Sequence, residues 1–322
     1  MNVYDSHRMA IMLENFGYEA TNVQSEADLV IFNTCHIREK AAEKVFSDLG
    51  RAYIIKQERQ ALGKDTIIGV AGCVVQAEDE QIAKRAPYVD FALGPLTYHR
   101  LPEMLAKISK QKGEPLIDTD FPAEAKFDFL PQNRAEGGCS FLAVQEGCNN
   151  FCTYCVVPYT RGAERSRDPH SIVREAQELF EAGYKEVTLL GQNVDSYKWV
   201  NPENTSQEVN FAQLLELVAL IDPKLRVRFS TSHPKDMGNG VLYTMAMYPN
   251  ICNHIHLPVQ SGSNAMLDKM NRKYTREGYL YRISKIREIL PDCAISTDII
   301  AGFCGETLED HADTISIMKE VG

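Results

Sequence analysis

A chain of 322 residues that is 44% hydrophobic and 24% charged has the composition of a soluble globular protein, long enough for two domains. It has no 18-residue apolar run, which excludes a membrane-spanning helix, and its charged start MNVYDSHRMAIMLENFGY does not read as a secretory leader. A net charge of −10 offers nucleic acid no attraction over the whole chain, so any such contact must come from a local patch or from a part beyond this sequence.

Residues 1–122 read as alternating helix and strand. From Asp5 to Phe16, the apolar Met9, Ile11, Met12, Leu13 and Phe16 fall near helical spacing. LVIF at 29–32 is a short buried strand ending in Asn33-Thr34-Cys35. Arg38–Gln60 is helical, with Ala41, Val45, Leu49, Ala52 and Ile55 on one face. TIIGVAG at 66–72 is a second buried strand, ending at Cys73. A helix over 76–86, the strand YVDFAL at 88–93 and a helix over 97–111 complete the series. Apolar strands separated by helices predict a parallel sheet covered on both faces. A Pro-, Asp- and Gly-containing stretch from about 113 to 138 reads as a linker. The boundaries expected are therefore an N-terminal domain 1–122, a linker 123–138 and a second domain 139–322.

From residue 140 the pattern restarts. Strand SFLAVQEG leads into a cysteine loop and a helix over 171–183. Strand EVTLLG at 186–191, helix 210–220, strand RVRFSTS at 226–232 and helix 235–247 follow. Strand HIHLPV at 254–259, helix 275–290, strand AISTDIIAG at 294–302 and helix 306–320 end the chain. Five β–α repeats predict a partial barrel of parallel strands, with chemistry gathered in the loops at the strands' C-terminal ends.

The loop after the first of these strands reads GCNNFCTYC, placing Cys148, Cys152 and Cys155 at the spacing C-x3-C-x2-C. Three thiolates on one loop can hold three corners of a cubane [4Fe-4S] cluster. A carrier cluster takes a fourth cysteine, so an iron left open suits a bidentate amino-acid group such as that of S-adenosylmethionine. The alternatives are a structural zinc knuckle, a disulfide or an unrelated thiol cluster. Zinc sites usually pair two tight elements to reach four ligands, and no second pair stands nearby. The nine cysteines are scattered through a chain too large to need staples, which predicts a reducing, cytoplasmic setting with metal-bound or free thiols.

Cys35 and Cys73 each follow a buried strand, in NTCHIREKA and VAGCVVQ. Strand C-termini of a parallel sheet share one edge, so both cysteines can converge on one ligand. The bland reading is two structural core cysteines. Gly191-Gln192-Asn193 follows a strand, where Gly and Asn make ordinary turns. STSHP at 230–234 and HLPVQSGS at 256–263 likewise end strands in small polar residues. His254 and His256 share one strand face and read as barrel-lining rather than metal-binding. No carboxylate–histidine pair stands out. Cys252 and Cys293 lie outside any motif and read as structural.

The run GCNNFCTYCVVPYTRG resembles the signature of the radical S-adenosylmethionine methylthiotransferases, and the motifs carrying the resemblance extend from residue 1 to about 306. It implies a radical SAM cluster on Cys148, Cys152 and Cys155, with a (βα)6-type barrel that stops here after the fifth βα unit. NTCHIR and GC resemble two of three motifs that hold a second [4Fe-4S] cluster, so Cys35 and Cys73 become its ligands. The family's third motif, G-C-Q-M-N-x-x-D-S, is matched only from Met1-Asn2 onward, which would put the third ligand upstream of Met1. By the same resemblance Gly191, Gln192 and Asn193 hold the cofactor's methionine end, with Gln260 and Ser261 as further cofactor contacts. DIIAGFCGE at 298–306 resembles the segment near the adenine, with Cys304 where proline is usual.

VVPYTRG, LLGQNV and HLPVQSGS resemble the tRNA branch of the family. This implies transfer of a methylthio group to the N6-isopentenyl adenosine beside the anticodon. The radical cluster would cleave S-adenosylmethionine and the auxiliary cluster would supply sulfur. Implied partners are a tRNA anticodon stem-loop, an electron donor such as flavodoxin or ferredoxin and a sulfur donor, with no membrane. Relatives act on threonylcarbamoyl-adenosine or a ribosomal-protein aspartate. A reading of another class is an iron–sulfur electron carrier without catalysis.

Overall fold

A computed structural model describes residues 1–36, 39–110, 115–122, 126–129 and 137–322. Ile37 and Arg38 of the NTCHIREKA run, the Ala41 side chain and most of the 123–138 linker lie outside the described residues. The chain forms two units, Met1–Asn133 with Val156–Gly162, and Arg134–Cys155 with Ala163–Gly322.

In the first unit α1 (Asn2–Glu14) and β1 (Leu29–Thr34) are followed by α2 (Glu39–Ala61) and β2 (Ile67–Gly72). Then come α3 (Cys73–Arg85), β3 (Phe91–Leu93), α4 (Leu101–Lys110), β4 (Leu116–Asp118) and the short α5 (Val157–Arg161). The strands pair in parallel in the order β1-β2-β3-β4. Strand alternation gives each sheet face its own core. Ile68, Val70 and Ala92 pack with Leu49, Ala52, Val74 and Ile82 of α2 and α3. Ala71, Phe91 and Leu93 pack with Met9, Met12, Leu101 and Met104 of α1 and α4. Gly69 makes the register possible, since a Cβ there would stand 2.1 Å from the Phe91 ring. The sheet is thus covered on both faces, as expected. It has one strand more than expected, because Leu116–Asp118 of the 113–138 stretch adds β4. Three residues are too short to show a period.

The second unit runs β5 (Cys139–Ala143), β6 (Gln145–Glu146), β7 (Arg165–Ser166), α6 (Pro169–Glu181) and β8 (Glu186–Leu190). A hairpin of β9 (Lys198–Val200) and β10 (Glu208–Asn210) precedes α7 (Phe211–Ala219), β11 (Arg226–Ser230) and α8 (Asn239–Met247). β12 (His254–His256), α9 (Asn264–Lys269), α10 (Arg276–Ile289), β13 (Ala294–Ser296) and α11 (Leu308–Val321) complete it. β5, β8 and β11 form a parallel ladder in chain order, and β12 pairs in parallel with β13. One parallel bridge, Val227 to Ile251, joins the ladder to the segment before β12, and another, Gln260 to Ile299, continues the β12–β13 pairing. These strands, with Leu142, Val187, Leu189, Val227 and Ile255 wholly buried, pack against Ile172, Leu179, Leu214, Leu215, Leu242 and Ile286 of the helices. Several helix starts are fixed by side-chain caps. Asp168 accepts from the Ser171 N–H ahead of Pro169, and Asn210 with Gln213 forms a capping box. The β9–β10 hairpin and α9 were not expected. Their segments are too short for periodicity to reveal.

Candidate metal centre

The cysteine loop leaves the C-terminal end of the first barrel strand, as expected of a reaction loop. β6 and β7 close its neck as an antiparallel pair, Gln145 opposite Ser166 and Glu146 opposite Arg165. Gly147 (φ 77°) and Phe151 (φ 50°) bend it. The left-handed region is costly for a bulky residue such as Phe151. Asn271 Nδ2 offsets that cost by donating to the Asn150 and Phe151 carbonyls at 3.2 and 2.9 Å. Thr153 donates through N–H and Oγ1 to the Met270 and Lys269 carbonyls, at 3.2 and 3.0 Å. Lys235 Nζ reaches Asn150 Oδ1 at 2.9 Å, and the Gly147 N–H donates to Gln192 Oε1 at 2.6 Å. The loop is therefore sewn to segments following β8, β11 and α9.

Cys152 is buried and Cys148 and Cys155 are half-buried; no cysteine of the chain is in a disulfide. Burial pushes the Cys148 thiol up, the Asn150 N–H works against it, and Glu164, Cys155 and Cys152 push it up further. The three thiols thus lie within electrostatic reach of one another. Arg272 Nη1 stands 3.3 Å from Cys152 Sγ. Among the described residues no three His, Cys, Asp or Glu side chains close on a single ion position. An all-thiol set on one loop is the soft donor set of an iron–sulfur cluster. A coordinating thiol is deprotonated outright, and the positive charge of bound iron would offset the repulsion among the three thiolates. The residues fit the group.

Gln192 is a brace for the loop, through Gly147. Asn193 is buried; its N–H donates to Gln145 Oε1 at 3.3 Å and its Nδ2 to Asp236 Oδ2 at 2.7 Å, which leaves Oδ1 unpartnered. Gln260 (φ 67°) holds the β13 extension, donating to the Asp298 carbonyl and accepting from the Ile300 N–H, both at 2.9 Å. Ser261 is buried against α11, its hydroxyl 3.2 Å from Thr314 Oγ1. His254 and His256 both meet Ser296 Oγ, at 3.1 and 2.9 Å, and His256 Nε2 lies 3.4 Å from Asp298 Oδ2.

The structure also sets a buried carboxylate on the backbone N–H of a buried histidine, a juxtaposition the sequence did not show. The Val194 N–H donates to the Thr231 carbonyl at 3.1 Å, and the His233 N–H to Asp195 Oδ2 at 3.3 Å. Burial, with Asp236 nearby, pushes the Asp195 carboxyl up to about 7 against the His233 N–H that donates to it. Burial, reinforced by Arg272 and Lys235, lowers the His233 imidazole to about 3. His233 Nδ1 accepts the Lys235 N–H at 3.2 Å, so the ring's proton is on Nε2, which is buried without a partner. The only sequence signal was polar residues ending two consecutive strands.

In the first unit the β1–β2 register ends at Thr34 opposite Gly72, so Cys35 and Cys73 leave neighbouring strands, about 4.8 Å apart, at one edge. Gly72 turns the chain there at φ 97°, and a Cβ would stand 2.3 Å from the Thr34 carbonyl oxygen. Cys73 opens α3, and the Val74 N–H donates to Thr34 Oγ1 at 3.3 Å. Asn33 Nδ2 donates to Asn2 O and Ser6 Oγ, each at 2.9 Å, which ties the start of α1 to the same edge. The structure places both cysteines just past one edge of the sheet, and the unit's sequence holds no third.

Residues 142–318 match the profile of the Radical SAM superfamily, and residues 1–94 that of the uncharacterized protein family UPF0004. Among solved structures, the radical S-adenosylmethionine methyltransferase TsrM from Kitasatospora setae, with cobalamin and a [4Fe-4S] cluster bound, is similar with a TM-score of 0.70 at 14% identity. That match covers 99% of this chain and 70% of TsrM. The cobalamin-dependent radical enzyme OxsB, with aqua-cobalamin and S-adenosylmethionine bound, gives 0.56 at 15% identity over 97% of this chain. The chain spans 45% of the OxsB chain. At these identities the likeness is one of fold.

Proposed function

Because this chain belongs to the radical SAM superfamily, we propose that Cys148, Cys152 and Cys155 hold a [4Fe-4S] cluster and that the protein is a methylthiotransferase of the tRNA-2-methylthio-N6-dimethylallyladenosine synthase type. The observation that carries this reading is the three-thiol loop at a barrel-strand end, braced from three segments. The UPF0004 match over 1–94 and the Cys35–Cys73 edge support methylthiolation as the kind of chemistry.

A cluster held by Cys148, Cys152 and Cys155 would supply one electron for cleavage of S-adenosylmethionine, and Cys35 and Cys73, with a further ligand, would hold a second cluster as the source of sulfur. The chain's own contribution is orientation and exclusion of water. Gln192 fixes Gly147, the residue before Cys148, and Lys235 fixes Asn150 between the first two thiols. The Asn193 side-chain amide oxygen Oδ1 is free to accept from a cofactor amino group. The partners proposed are an anticodon stem-loop, a flavodoxin- or ferredoxin-class reductant and a sulfur donor, in a cytoplasmic setting.

Anaerobic reconstitution followed by product analysis tests the reading. The wild-type chain is expected to gain a [4Fe-4S] signal and release 5′-deoxyadenosine, and Cys148→Ala to lose both. Persistent 5′-deoxyadenosine from Cys148→Ala would overturn the assignment. Mass spectrometry of RNA carrying N6-isopentenyl adenosine, RNA carrying threonylcarbamoyl-adenosine and a ribosomal-protein aspartate peptide identifies the substrate. A methyl product in place of a methylthio product would remove the sulfur-donating role from Cys35 and Cys73.

A further inference from the structure

Arg272 lies just beyond α9 and is 5% exposed, although it bears a fixed charge. The residues on either side, Asn271 and Lys273, have φ of 58° and 60°. Asn tolerates the left-handed region, but Lys273 does so at a cost, and the two flank a guanidinium turned inward. Every nitrogen of that group is engaged. Nε donates to Tyr274 Oη at 3.1 Å and Nη2 to the Pro258 carbonyl at 3.1 Å. Nη1 donates to Tyr154 Oη and to Cys152 Sγ, both at 3.3 Å. Tyr274 Oη in turn donates to the Val259 carbonyl at 2.7 Å. One rigid fork therefore links the loop after β12 to the middle thiol of the cysteine loop.

We propose that Arg272 is the positioning residue that fixes Cys152 Sγ and raises the reduction potential of the cluster that Cys152 helps to hold. The inference rests on the reading of Cys148, Cys152 and Cys155 as cluster ligands. Hydrogen bonds to ligand sulfurs are one of the protein's levers on cluster potential. When the cluster takes one electron from a one-electron reductant, its net charge becomes one unit more negative. A buried cation at 3.3 Å from a ligand sulfur stabilises that reduced state more than the oxidised one. An arginine suits the task because its planar fork spans two partners with no loss of charge.

The test is a dithionite titration of the reconstituted protein followed by electron paramagnetic resonance, with iron content and thermal melting measured alongside. Arg272→Gln is expected to shift the midpoint potential to more negative values, so that a several-fold smaller fraction of the cluster is reduced at a given dithionite level. Arg272→Lys keeps the charge without the fork and should fall between. Tyr274→Phe removes only the phenol that accepts from Nε and leaves the contact of Nη1 with the thiol, so it should shift the potential less than Arg272→Gln. If Arg272→Gln does not fold, Arg272→Lys against Tyr274→Phe carries the comparison. Wild-type potential in the Arg272 variants overturns the proposal, as does an equal shift in Tyr274→Phe. A wild-type chain that takes up no [4Fe-4S] cluster would sink the ligand assignment instead.

Discussion

At the scale of single residues, burial shifts His233 and Asp195 in opposite directions. Unfolded, His233 titrates at its ordinary 6.5; folded, burial holds it at about 3. That lowered value makes its contribution to stability full above 6.5 and lost as the pH falls towards 3. Asp195 is the mirror case, raised by burial from 3.8 to about 7, so its contribution is full below 3.8 and lost as the pH rises through 7. Each unmatched proton tilts stability by about 1.4 kcal/mol per pH unit. Between about pH 4 and 6.5 the two slopes oppose each other. Asp195→Asn should therefore expose a loss of stability towards acid, and His233→Gln a loss towards neutrality. Denaturant unfolding of the cofactor-free protein across that range checks both, and parallel profiles in the two variants would contradict the pairing. This pair was illegible in the sequence, because its members are 38 residues apart and meet only where β8 and β11 are neighbours. Cys148, Cys152 and Cys155 could be singled out because their spacing is local.

Among the elements, α5 shows that a motif residue can also carry structure. VVPYTRG reads as a substrate-branch motif, yet Arg161 Nη2 donates to Asp5 Oδ2 at 2.9 Å, with Lys126 Nζ 3.4 Å from Oδ1. Burial alone would raise the Asp5 carboxyl, but Lys126 and Arg161 more than offset it and hold it below the ordinary carboxylate value. The stability this supplies is present above pH 3.8 and is lost as the pH falls below it. Asp5→Asn would remove the carboxylate that two buried cations share, and a loss of about 3–5 kcal/mol is expected in urea unfolding. A change under about 0.5 kcal/mol, the level of an ordinary surface substitution, would refute the buried role. The long apolar strands and their helices were legible because burial on both faces leaves continuous runs. β4, the β9–β10 hairpin and α9 were not, since pairing partners rather than local pattern make such short segments regular.

At the scale of the whole molecule, both units are parallel α/β structures whose cysteine sites follow strand C-termini, Cys35 and Cys73 in one and the Cys148–Cys155 loop in the other. Among the described residues no helix is long and apolar enough to cross a membrane. A net charge of −10 sets the expectation for RNA. Neutralising each phosphate steepens the salt dependence of binding by a slope of about 0.7–0.9. Binding of an anticodon stem-loop to this chain, followed by fluorescence anisotropy at low and high salt, should be weak with a slope near zero. A steep slope would reveal a concentrated basic patch despite the acidic total.

The wall of the second unit is uneven in its attachment. β5, β8 and β11 share a full ladder, while the β12–β13 pair is joined to it at the Val227–Ile251 bridge. Local opening concentrates where backbone hydrogen bonds are fewest. In mechanical terms the sheet is a fixed frame and a hinged panel. Opening at that seam would reach the thiols, because the cysteine loop carried by the frame is also held from the panel side by Lys269, Asn271 and Arg272.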